Sequence, residues 1–543
     1  MPVAPLEISS WPAEPGEVVA TTVCALLRHA AATVPDRLAL VDAVADPAAR
    51  RTWSYAEFVA DAERVARALL ARYAPGDRVA IWAPNSADWI VLQQGIAFAG
   101  MVLVALNPAY RTREVEFVVR QSGAVALFCP DTFHGFDMAG LAGEVQAGVP
   151  TLHDVVSLSR WDEFLATGDT GADLPEIGPH DLIQIQYTSG TTGFPKGAML
   201  HHTGLVNEAR FVAERAGMSD GGVYVNAMPM YHIGGGAVTS FGAWALRGTF
   251  VILPGFDPAT LLEAFETYHG THTLLVPTML IAVLDHPDRA TRDLSSLQTV
   301  LSGAATVPAS LVRRTMSALN CRFSILFGQT EMHGVVTQTR VTDTPDDQAD
   351  TVGQPLPQLE VKIADLDTGH PTAIGARGEI CARGYQTMLG FHDMPDATAQ
   401  TIDADGWLHM GDIGTMDARG FVRVTGRIKD MIIRGGMNLY PAEIESALHD
   451  HPAVQTAAVI GVPDPTWGEQ VAAVLVLRPG HDRPTPAELA AFLQGQIAPH
   501  KTPVHWAFVD ALPMTPTGKT RKFVLRDQVD AGELTFDAVL AAH

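Results

Sequence analysis

The most informative segment of the sequence is Asp181-Leu-Ile-Gln-Ile-Gln-Tyr-Thr-Ser-Gly-Thr-Thr-Gly-Phe-Pro-Lys-Gly197. A strand predicted over 182–187 runs into a loop of Gly, Ser and Thr, and a helix is predicted roughly over 204–215. The glycines let the backbone approach a ligand closely, and the hydroxyls and the lysine suit phosphate oxygens, although the spacing is not that of a Walker A loop. The residues predicted to contact phosphate are Thr188, Ser189, Gly190, Thr191, Thr192 and Lys196.

The length and composition of the chain predict a globular protein of two or more domains. It has 543 residues, of which 47% are apolar and 18% charged. Its formal net charge of −23 makes it a poor candidate for a nucleic-acid binder. The four cysteines form no CxxC pair, so their spacing indicates neither a zinc site nor a disulfide framework.

No segment of the sequence indicates secretion or a membrane span. Residues 1–23 have no Lys or Arg before an apolar stretch, which is unlike a secretory signal. The most apolar run, 96–106, is too short to cross a bilayer. We therefore expect a cytoplasmic protein with reduced, buried thiols. The sequence leaves its oligomeric state open, including a homodimer.

Short apolar runs alternate with amphipathic stretches along most of the chain, and this alternation predicts an α/β fold of layered subdomains with mainly parallel sheets. The first predicted elements are a helix over 52–73, a strand over 78–82, a helix over 89–98 and a strand over 102–106. A further short strand is predicted over 323–327, and ligands of such sheets bind at the carboxyl ends of strands.

A small α+β C-terminal domain is predicted over 429–543, after a large N-terminal domain over 1–428. Its predicted elements are helices over 441–448 and 486–493 and strands over 457–461 and 471–477. Thr485 is expected to cap the second helix, because Pro486 suits the first helical position.

Five further motifs follow the glycine-rich loop in the order typical of one superfamily. They are Ser302-Gly-Ala-Ala305, Phe327-Gly-Gln-Thr-Glu331, Gly406-Trp-Leu-His-Met-Gly-Asp412, Gly426-Arg-Ile-Lys-Asp-Met-Ile-Ile-Arg-Gly-Gly436 and Pro513-Met-Thr-Pro-Thr-Gly-Lys519. With them, nearly the whole chain resembles the adenylate-forming superfamily of acyl-CoA synthetases, firefly luciferase and peptide-synthetase adenylation domains. The resemblance implies an enzyme that uses ATP and Mg²⁺ to activate a carboxylic acid and then transfers the acyl group to coenzyme A.

The motifs supply candidate nucleotide contacts. Thr330 can donate to an α-phosphate oxygen, Glu331 can hold Mg²⁺ while the nucleotide completes its shell, and Phe327 can stack on adenine. By the resemblance, Asp412 and Arg427 contact the ribose. The remaining nucleotide contacts are expected from Gly303, Ala304, Ala305, Gly328 and Gln329.

The C-terminal motifs imply a domain that rotates between two half-reactions. Lys519 would bridge the attacking carboxylate and the α-phosphate in the first half, and would then be withdrawn. Lys429 matches the hinge position of the family. Gly435 and Gly436 would leave a narrow channel for the pantetheine arm of coenzyme A, although an ordinary tight turn explains two glycines equally well.

The segment from Tyr231 to Trp244 matches the acyl-binding segment of the family, and His232 matches its frequent histidine beside the carboxylate. This segment contains no Asp or Glu to meet an ammonium, which argues against an amino-acid substrate. A hydrophobic fatty acid of medium or long chain, or a bulky cyclic or aromatic acid, is expected instead. The predicted acyl-pocket residues are His232, Ile233, Gly235, Gly236, Val238 and Met332.

Three other functions remain compatible with parts of this pattern. A free-standing acyl-AMP ligase would load a carrier protein instead of coenzyme A. A luciferase-like oxygenase would use the same scaffold for a different reaction. A non-catalytic binding protein is disfavoured by the complete set of Thr188, Thr330, Glu331, Asp412, Arg427 and Lys519.

Replacement of Lys519 by alanine should cripple adenylate formation and largely spare thioester formation from supplied acyl-adenylate. Loss of this charge contact should cost roughly 3 kcal/mol of transition-state stabilisation, about a hundredfold in rate. The two half-reactions are measured separately, by acid-dependent pyrophosphate exchange and by thioester yield from synthetic acyl-AMP. Equal damage to both would contradict the role assigned to Lys519.

Overall fold

The computed structural model describes residues 5–168, 171–188, 195–305, 307–494, 496–514 and 520–538. The helices are α1 Val23–Thr33, α2 Tyr55–Leu70, α3 Ala87–Phe98, α4 Thr112–Ser122, α5 Met138–Gly148, α6 Trp161–Leu165, α7 His202–Arg215, α8 Ser240–Ala245, α9 Pro258–Tyr268, α10 Pro277–Asp285, α11 Ala309–Leu319, α12 Pro345–Asp350, α13 Pro395–Thr401, α14 Pro441–His449, α15 Pro486–Gln494 and α16 Lys522–Asp530.

The strands fall into four main sheets and one small hairpin. They are β1 Ser10–Trp11, β2 Leu38–Asp42, β3 Arg51–Ser54, β4 Arg78–Trp82, β5 Val102–Leu106, β6 Ala126–Cys129, β7 Thr132–Phe133, β8 Phe136–Asp137, β9 Asp154–Ser157, β10 Leu182–Thr188, β11 Lys196–His201, β12 Val223–Asn226, β13 Thr249–Ile252, β14 His272–Leu274, β15 Thr299–Gly303, β16 Arg322–Phe327, β17 Thr337–Gln338, β18 Gln354–Pro355, β19 Leu359–Ala364, β20 Gly378–Gly384, β21 Leu408–Met416, β22 Val422–Arg427, β23 Ile432–Arg434, β24 Met437–Leu439, β25 Val454–Asp464, β26 Gly468–Leu477, β27 His505–Phe508 and β28 Asp537–Ala538.

Two large sheets are mainly parallel, as the alternation of elements predicts. Sheet I has the order β11-β10-β5-β4-β6-β9, and its only antiparallel pair among the described strands is β10–β11. Sheet II has the order β18-β17-β16-β15-β14-β12-β13-β2-β3 and is parallel from β16 to β2. Helices cover these sheets because parallel strands need crossover connections.

Sheets III and IV are smaller. Sheet III, with the order β1-β19-β20-β21-β22, is antiparallel throughout and was not anticipated by the sequence analysis. Sheet IV contains β23 to β28 and, together with α14, α15 and α16, forms the smaller C-terminal α+β unit. The exact boundary between the two domains, at residues 428 and 429, stays a prediction.

Several predicted elements have the expected bounds, and two need correction. The strands over 78–82 and 102–106 are β4 and β5, and Thr485 accepts the Glu488 N–H at 3.2 Å as the expected cap. Residues 52–54 are strand rather than helix, because Ser54 and Glu57 form a capping box that starts α2 at Tyr55. Strand β11, which pairs antiparallel with β10, comes before α7, so the predicted helix does not directly follow the glycine-rich segment.

The core packs helices onto sheet II through a fully buried tryptophan. The ring of Trp244 in α8 lies 5.1 Å from that of Phe58 in α2 and 5.8 Å from that of Phe250 in β13. Its indole N–H donates to the backbone oxygen of Ala39 in β2 at 3.1 Å, so its one polar group is satisfied. The four cysteines are buried and unpaired, as expected.

The start of α7 is held against a buried histidine that follows the Thr330 motif. The Nε2 atom of His333 accepts the His201 N–H at 3.0 Å, and its Nδ1 lies 2.7 Å from the backbone oxygen of Gln386. These partners assign the proton to Nδ1. Burial lowers the pKa of His333 to about 3, so the ring is neutral. The ring therefore joins three segments that are distant in sequence.

Gly204 permits this contact, because a Cβ atom there would lie 2.5 Å from the His333 ring. Gly204→Ala should therefore destabilise the protein by about 1–3 kcal/mol, since the His333 ring is fully buried and hydrogen-bonded at both nitrogens. The matched control is Gly143→Ala in α5, where a Cβ atom meets nothing within 4 Å. That control should stabilise the protein by about 0.5–1 kcal/mol. Denaturant unfolding measures both, and two changes of the same sign would contradict the packing argument.

Candidate active site

Two neighbouring strands of sheet II end beside each other and present the predicted adenine contacts. Gly303 at the end of β15 pairs with Leu326 near the end of β16. A Cβ atom on Gly303 would overlap the backbone oxygen of Leu326, so glycine is needed for this close pairing. Ala304 and Ala305 follow as exposed residues, and Phe327 is half-buried. The small residues and the ring thus share one edge of the sheet, where ligands of parallel sheets bind.

The Thr330 motif forms a short turn after β16. A 3-10 helix spans Thr330–Met332, with Thr330 almost buried, Glu331 half-buried and Met332 fully buried. Gln329 precedes the turn in an extended conformation. A Cβ atom on Gly328 would overlap the backbone of Gly334, so this glycine also serves a close backbone approach.

One segment connects this turn to the antiparallel pair of strands β10 and β11, which we call the phosphate hairpin because it carries the residues predicted to contact phosphate. The Met388 N–H donates to the backbone oxygen of Glu331 at 2.9 Å, the Leu389 N–H to that of Met199 at 2.9 Å and the His392 N–H to that of Gly197 at 2.8 Å. Strand β11 therefore lies beside the Thr330 turn. This arrangement brings the two motifs that are predicted to contact phosphate to the same place.

The phosphate hairpin itself is described at its two ends. Thr188 pairs with Lys196 across β10 and β11, and its Oγ1 donates to the Lys196 backbone oxygen at 3.4 Å. The Lys196 ammonium lies 4.9 Å from the centre of the Phe391 ring. The loop residues between them that are predicted to contact phosphate lie outside the described residues; they are Ser189, Gly190, Thr191 and Thr192.

The two residues predicted to contact the ribose form an ion pair. Asp412 in β21 is the cross-strand partner of Arg427 at the end of β22, and the Arg427 Nε lies 3.0 Å from the Asp412 Oδ1. The Asp412 side chain is 7% exposed, whereas that of Arg427 is 48% exposed. The pairing leaves a buried carboxylate oriented by a guanidinium that reaches into solvent.

The predicted acyl segment folds as a π-helix over Gly234–Thr239. A Cβ atom on Gly235 would overlap the Pro229 oxygen, and one on Gly236 would overlap the Met230 oxygen. A side chain at either position would therefore point into the backbone and not into a pocket. The glycines instead let the π-helix pack against the backbone of 228–230.

Asn85 and Asn226 hold that backbone in place. The Asn85 side chain accepts the Met230 N–H at 2.8 Å, and both asparagines donate to the Met228 oxygen, at 3.0 and 2.9 Å. His232 accepts the Gly234 N–H on Nδ1 at 3.1 Å. Ile233, Val238 and Met332 are buried and apolar, as the predicted pocket requires.

Family models match both parts of the chain. The model described as AMP-binding enzyme matches residues 27–392, and the model described as AMP-binding enzyme C-terminal domain matches residues 443–519. The chain belongs to the AMP-binding enzyme family. The motifs that resemble the adenylate-forming superfamily therefore come from a true member of it.

Two similar proteins align with almost the full length of this chain. The putative acyl-CoA synthetase YngI of Bacillus subtilis is 36% identical, covering 94% of this chain and 98% of the relative. The human mitochondrial medium-chain acyl-CoA ligase ACSF2 is 34% identical, covering 94% and 88%.

Solved structures are similarly matched. ATP-bound MatB from Rhodopseudomonas palustris has a TM-score of 0.84 at 30% identity, covering 94% of this chain and 99% of that chain. The anthranilate CoA ligase AuaEII with anthranoyl-AMP has a TM-score of 0.86 at 25% identity, covering 94% and 98%.

The structure also shows a buried carboxylate that the sequence analysis missed. Glu208 of α7 is fully buried, and its Oε1 accepts the Val335 N–H at 2.7 Å. A Cβ atom on Gly334 would lie 2.8 Å from that Oε1 and 2.8 Å from Cγ2 of Val238, so the carboxyl group lies beside the predicted acyl residues. Burial raises the pKa of Glu208 well above its ordinary value, which favours the uncharged form of the carboxyl group.

A sequence signal for Glu208 exists. The residue lies three positions after Leu205 and four before Val212, on the apolar face of α7, where a carboxylate is unusual. The acyl segment from Tyr231 to Trp244 contains no Asp or Glu, so the carboxyl group comes from another element of the fold. The expectation of a hydrophobic acid stays a prediction.

The C-terminal candidates are only partly described. Lys519 lies outside the described residues, and Lys429 is exposed within a 3-10 turn over Ile428–Asp430. Gly435 and Gly436 have φ angles of 57° and 78° and form the two-residue turn between β23 and β24. A tight turn therefore explains both glycines in this conformation, and their role in a coenzyme A channel stays a prediction.

Among the residues that the structure describes, no helix is both long and apolar enough to cross a membrane.

The Glu208→Gln variant should gain stability relative to the wild type as pH rises. The pKa of Glu208 is raised in the folded state, so the stability linked to its proton is fully present below the unfolded pKa, near 4.3, and is lost as pH rises toward the folded value. Glutamine keeps an acceptor for Val335 and has no proton to lose. Urea unfolding between about pH 5 and pH 8 measures the difference between variant and wild type.

The control for this experiment is Glu144→Gln, because Glu144 is exposed on α5. Its stability difference from the wild type should change little across the same pH range. A pH-independent difference for Glu208→Gln as well would contradict a neutral, buried carboxyl group.

Proposed function

We propose that this enzyme is an ATP-dependent acid:CoA ligase that forms an acyl-adenylate and then an acyl-CoA thioester. The observation that carries the proposal is the placement of the phosphate hairpin beside the Thr330 turn, through the segment 388–392. A triphosphate bound by the hairpin would place its α-phosphate close to Thr330. The names of the relatives, which are acyl-CoA synthetases and ligases, support the same reaction.

In the first half-reaction, a carboxylate oxygen of the acid attacks the α-phosphorus of ATP. The bond from this phosphorus to the bridging oxygen breaks, and pyrophosphate leaves. Such chemistry depends on positioning and charge neutralisation rather than on a covalent nucleophile of the protein. Thr330 donates to an α-phosphate oxygen, His232 stands beside the acid, and Lys519 bridges the two reacting groups.

The nucleotide is held by the remaining candidates. Asp412 accepts hydrogen bonds from the ribose hydroxyls and Arg427 orients Asp412, because the two already form an ion pair. Glu331 fits a Mg²⁺ ion. Proteins usually supply one or two carboxylate ligands to Mg²⁺ and leave the other positions to phosphates and water, and Glu331 is a half-buried carboxylate beside the predicted phosphate site. Bound Mg²⁺ would neutralise charge on the phosphates during the displacement.

In the second half-reaction, the thiol sulfur of coenzyme A attacks the acyl carbon. The bond from this carbon to the AMP oxygen breaks, the thiol proton passes to solvent, and AMP leaves. We assign Lys429 to the hinge of a C-terminal rotation that withdraws Lys519 and brings the turn at Gly435 and Gly436 to the acyl-adenylate. A homodimer and a cytoplasmic location stay predictions.

The acid is expected to be uncharged apart from its carboxylate, and hydrophobic. Val238 and Met332 supply apolar surface, and the segment from Tyr231 to Trp244 offers no Asp or Glu to pair with an ammonium. An amino acid would therefore bury an unpaired charge at a cost of several kcal/mol. Acetate would leave most of the apolar surface unused, at about 25 cal/mol per Å².

The test is a screen of acids for pyrophosphate release in the presence of ATP and coenzyme A, with mass spectrometry of the products. We expect octanoate and bulky ring acids to exceed acetate and phenylalanine in kcat/KM by at least about tenfold. Lys519→Ala supplies the background without adenylate formation. Preference for acetate or phenylalanine would refute the assignment of the substrate class.

Two further arms separate the other functions. Replacing coenzyme A by a phosphopantetheinylated carrier protein tests a free-standing acyl-AMP ligase, which would load the carrier and leave coenzyme A unused. Oxygen consumption tests a luciferase-like oxygenase. We expect thioester formation with coenzyme A and no oxygen uptake.

A further inference from the structure

Sheet III brings a glutamate, a cysteine and a histidine together on one of its faces. Cys381 of β20 is the cross-strand partner of His409 in β21, and Glu379 lies two residues before Cys381, so the three side chains share a face. The Cys381 Sγ lies 3.6 Å from the His409 Nδ1, and that Nδ1 lies 2.8 Å from the Glu379 Oε2. All three ligand atoms lie within 4.8 Å of one another.

We propose that Glu379, Cys381 and His409 form a binding site for a divalent late transition-metal ion, best suited to Zn²⁺. Thiolate, imidazole and carboxylate are the three ligand types that zinc takes in proteins. Three protein ligands leave a fourth tetrahedral position for water. This site is separate from the Mg²⁺ site proposed at Glu331, whose ligands are oxygen atoms only.

The spacing of the ligand atoms fits a tetrahedral ion closely. Zn–S and Zn–N bonds of about 2.3 and 2.0–2.1 Å set sulfur and nitrogen about 3.6 Å apart, and the Cys381 Sγ and His409 Nδ1 are separated by 3.6 Å. The Glu379 oxygen must withdraw from its hydrogen bond to His409 by about half an ångström to complete the shell. Rotation of a carboxylate side chain can supply a movement of this size.

Surrounding groups already orient the ligands. The Asp403 Oδ2 lies 3.5 Å from the His409 Nε2, on the side of the ring away from Cys381, which is the arrangement that fixes the tautomer of a metal-binding histidine. The Gly411 N–H donates to the Glu379 Oε1 at 3.0 Å and leaves Oε2 to face the histidine. The ligands are thus held in place by contacts that an ion would not need to break.

Access and charge also suit an ion. The His409 side chain is 33% exposed and that of Glu379 is 13% exposed, whereas Cys381 is fully buried beneath them, so an ion would enter from the solvent side. Two carboxylates, from Glu379 and Asp403, stand near the thiol against one ammonium, from Lys362. Burial raises the pKa of Cys381 to about 12, which is a cost that the metal–thiolate bond must offset.

The sequence analysis did not indicate this site, because its ligands are separated along the chain and converge only when β20 pairs with β21. The position has a consequence for the nucleotide site, since Gly411 directly precedes Asp412. An ion held by Glu379 and His409 would stiffen the part of β21 that presents the ribose carboxylate. The metal is therefore assigned a structural role beside the nucleotide, not a step of the reaction.

The experiment uses the full-length protein, stripped by a chelator and titrated with Zn²⁺ against a chromophoric zinc indicator. We expect one tight site per chain. Co²⁺ added to the stripped protein should give a thiolate-to-metal charge-transfer band, because only a cysteine ligand produces it. Cys381→Ser and His409→Asn should each weaken Zn²⁺ binding at least about tenfold and abolish or diminish the band.

The matched control is Cys321→Ser, because Cys321 is also buried but belongs to no metal-ligand group among the residues that the structure describes. This variant should keep both the affinity and the band. Circular dichroism of every variant checks that the fold is retained. Binding of Zn²⁺ that is unaffected by Cys381→Ser, or Co²⁺ binding without the band, would overturn the proposal, as would the absence of tight binding.

Discussion

The neutral imidazole of His333 holds together the segments on which the candidate site depends. It accepts a hydrogen bond from the start of α7 and donates one to the segment that follows β20, while its own backbone ends the Thr330 turn. Because burial lowers the pKa of His333 to about 3, these roles do not change across the physiological range. Gly204 leaves the space that the His333 ring occupies. The His333 ring thus fixes the Thr330 turn against the start of α7, in addition to the contacts of the segment 388–392.

Much of the fold can be predicted from local sequence, and the exceptions have physical causes. Strands β4 and β5 are short apolar runs bounded by turn residues, so their bounds follow directly. Strand β11, Lys-Gly-Ala-Met-Leu-His, has no clear period, and its pairing with β10 determines its conformation. Apart from the neighbouring strands β21 and β22, the strands of sheet III are separated by long connections, and no local sequence pattern indicates which of them pair.

The candidate site also has features that the sequence predicts and features that only the structure reveals. The ion pair of Asp412 and Arg427 is consistent with the shared role predicted from two separate motifs, because the motifs lie on adjacent strands. From the sequence alone, the three glycines of the acyl segment suggest space for a substrate. In the structure, two of them instead let backbone carbonyl oxygens approach closely. Glu208 was missed because it belongs to a different helix, and only the three-dimensional packing brings its carboxyl group to the Val335 N–H and close to Val238.

The central claim is that the acid is activated by attack of its carboxylate on the α-phosphorus of ATP. The most direct measurement uses an acid substrate labelled with ¹⁸O in both carboxylate oxygens, converted to its thioester with ATP and coenzyme A. Mass spectrometry of the nucleotide should find AMP that carries one ¹⁸O atom, because the oxygen that attacked phosphorus stays on AMP when the thiol displaces it. Release of unlabelled AMP, or of ADP with labelled phosphate, would contradict this account.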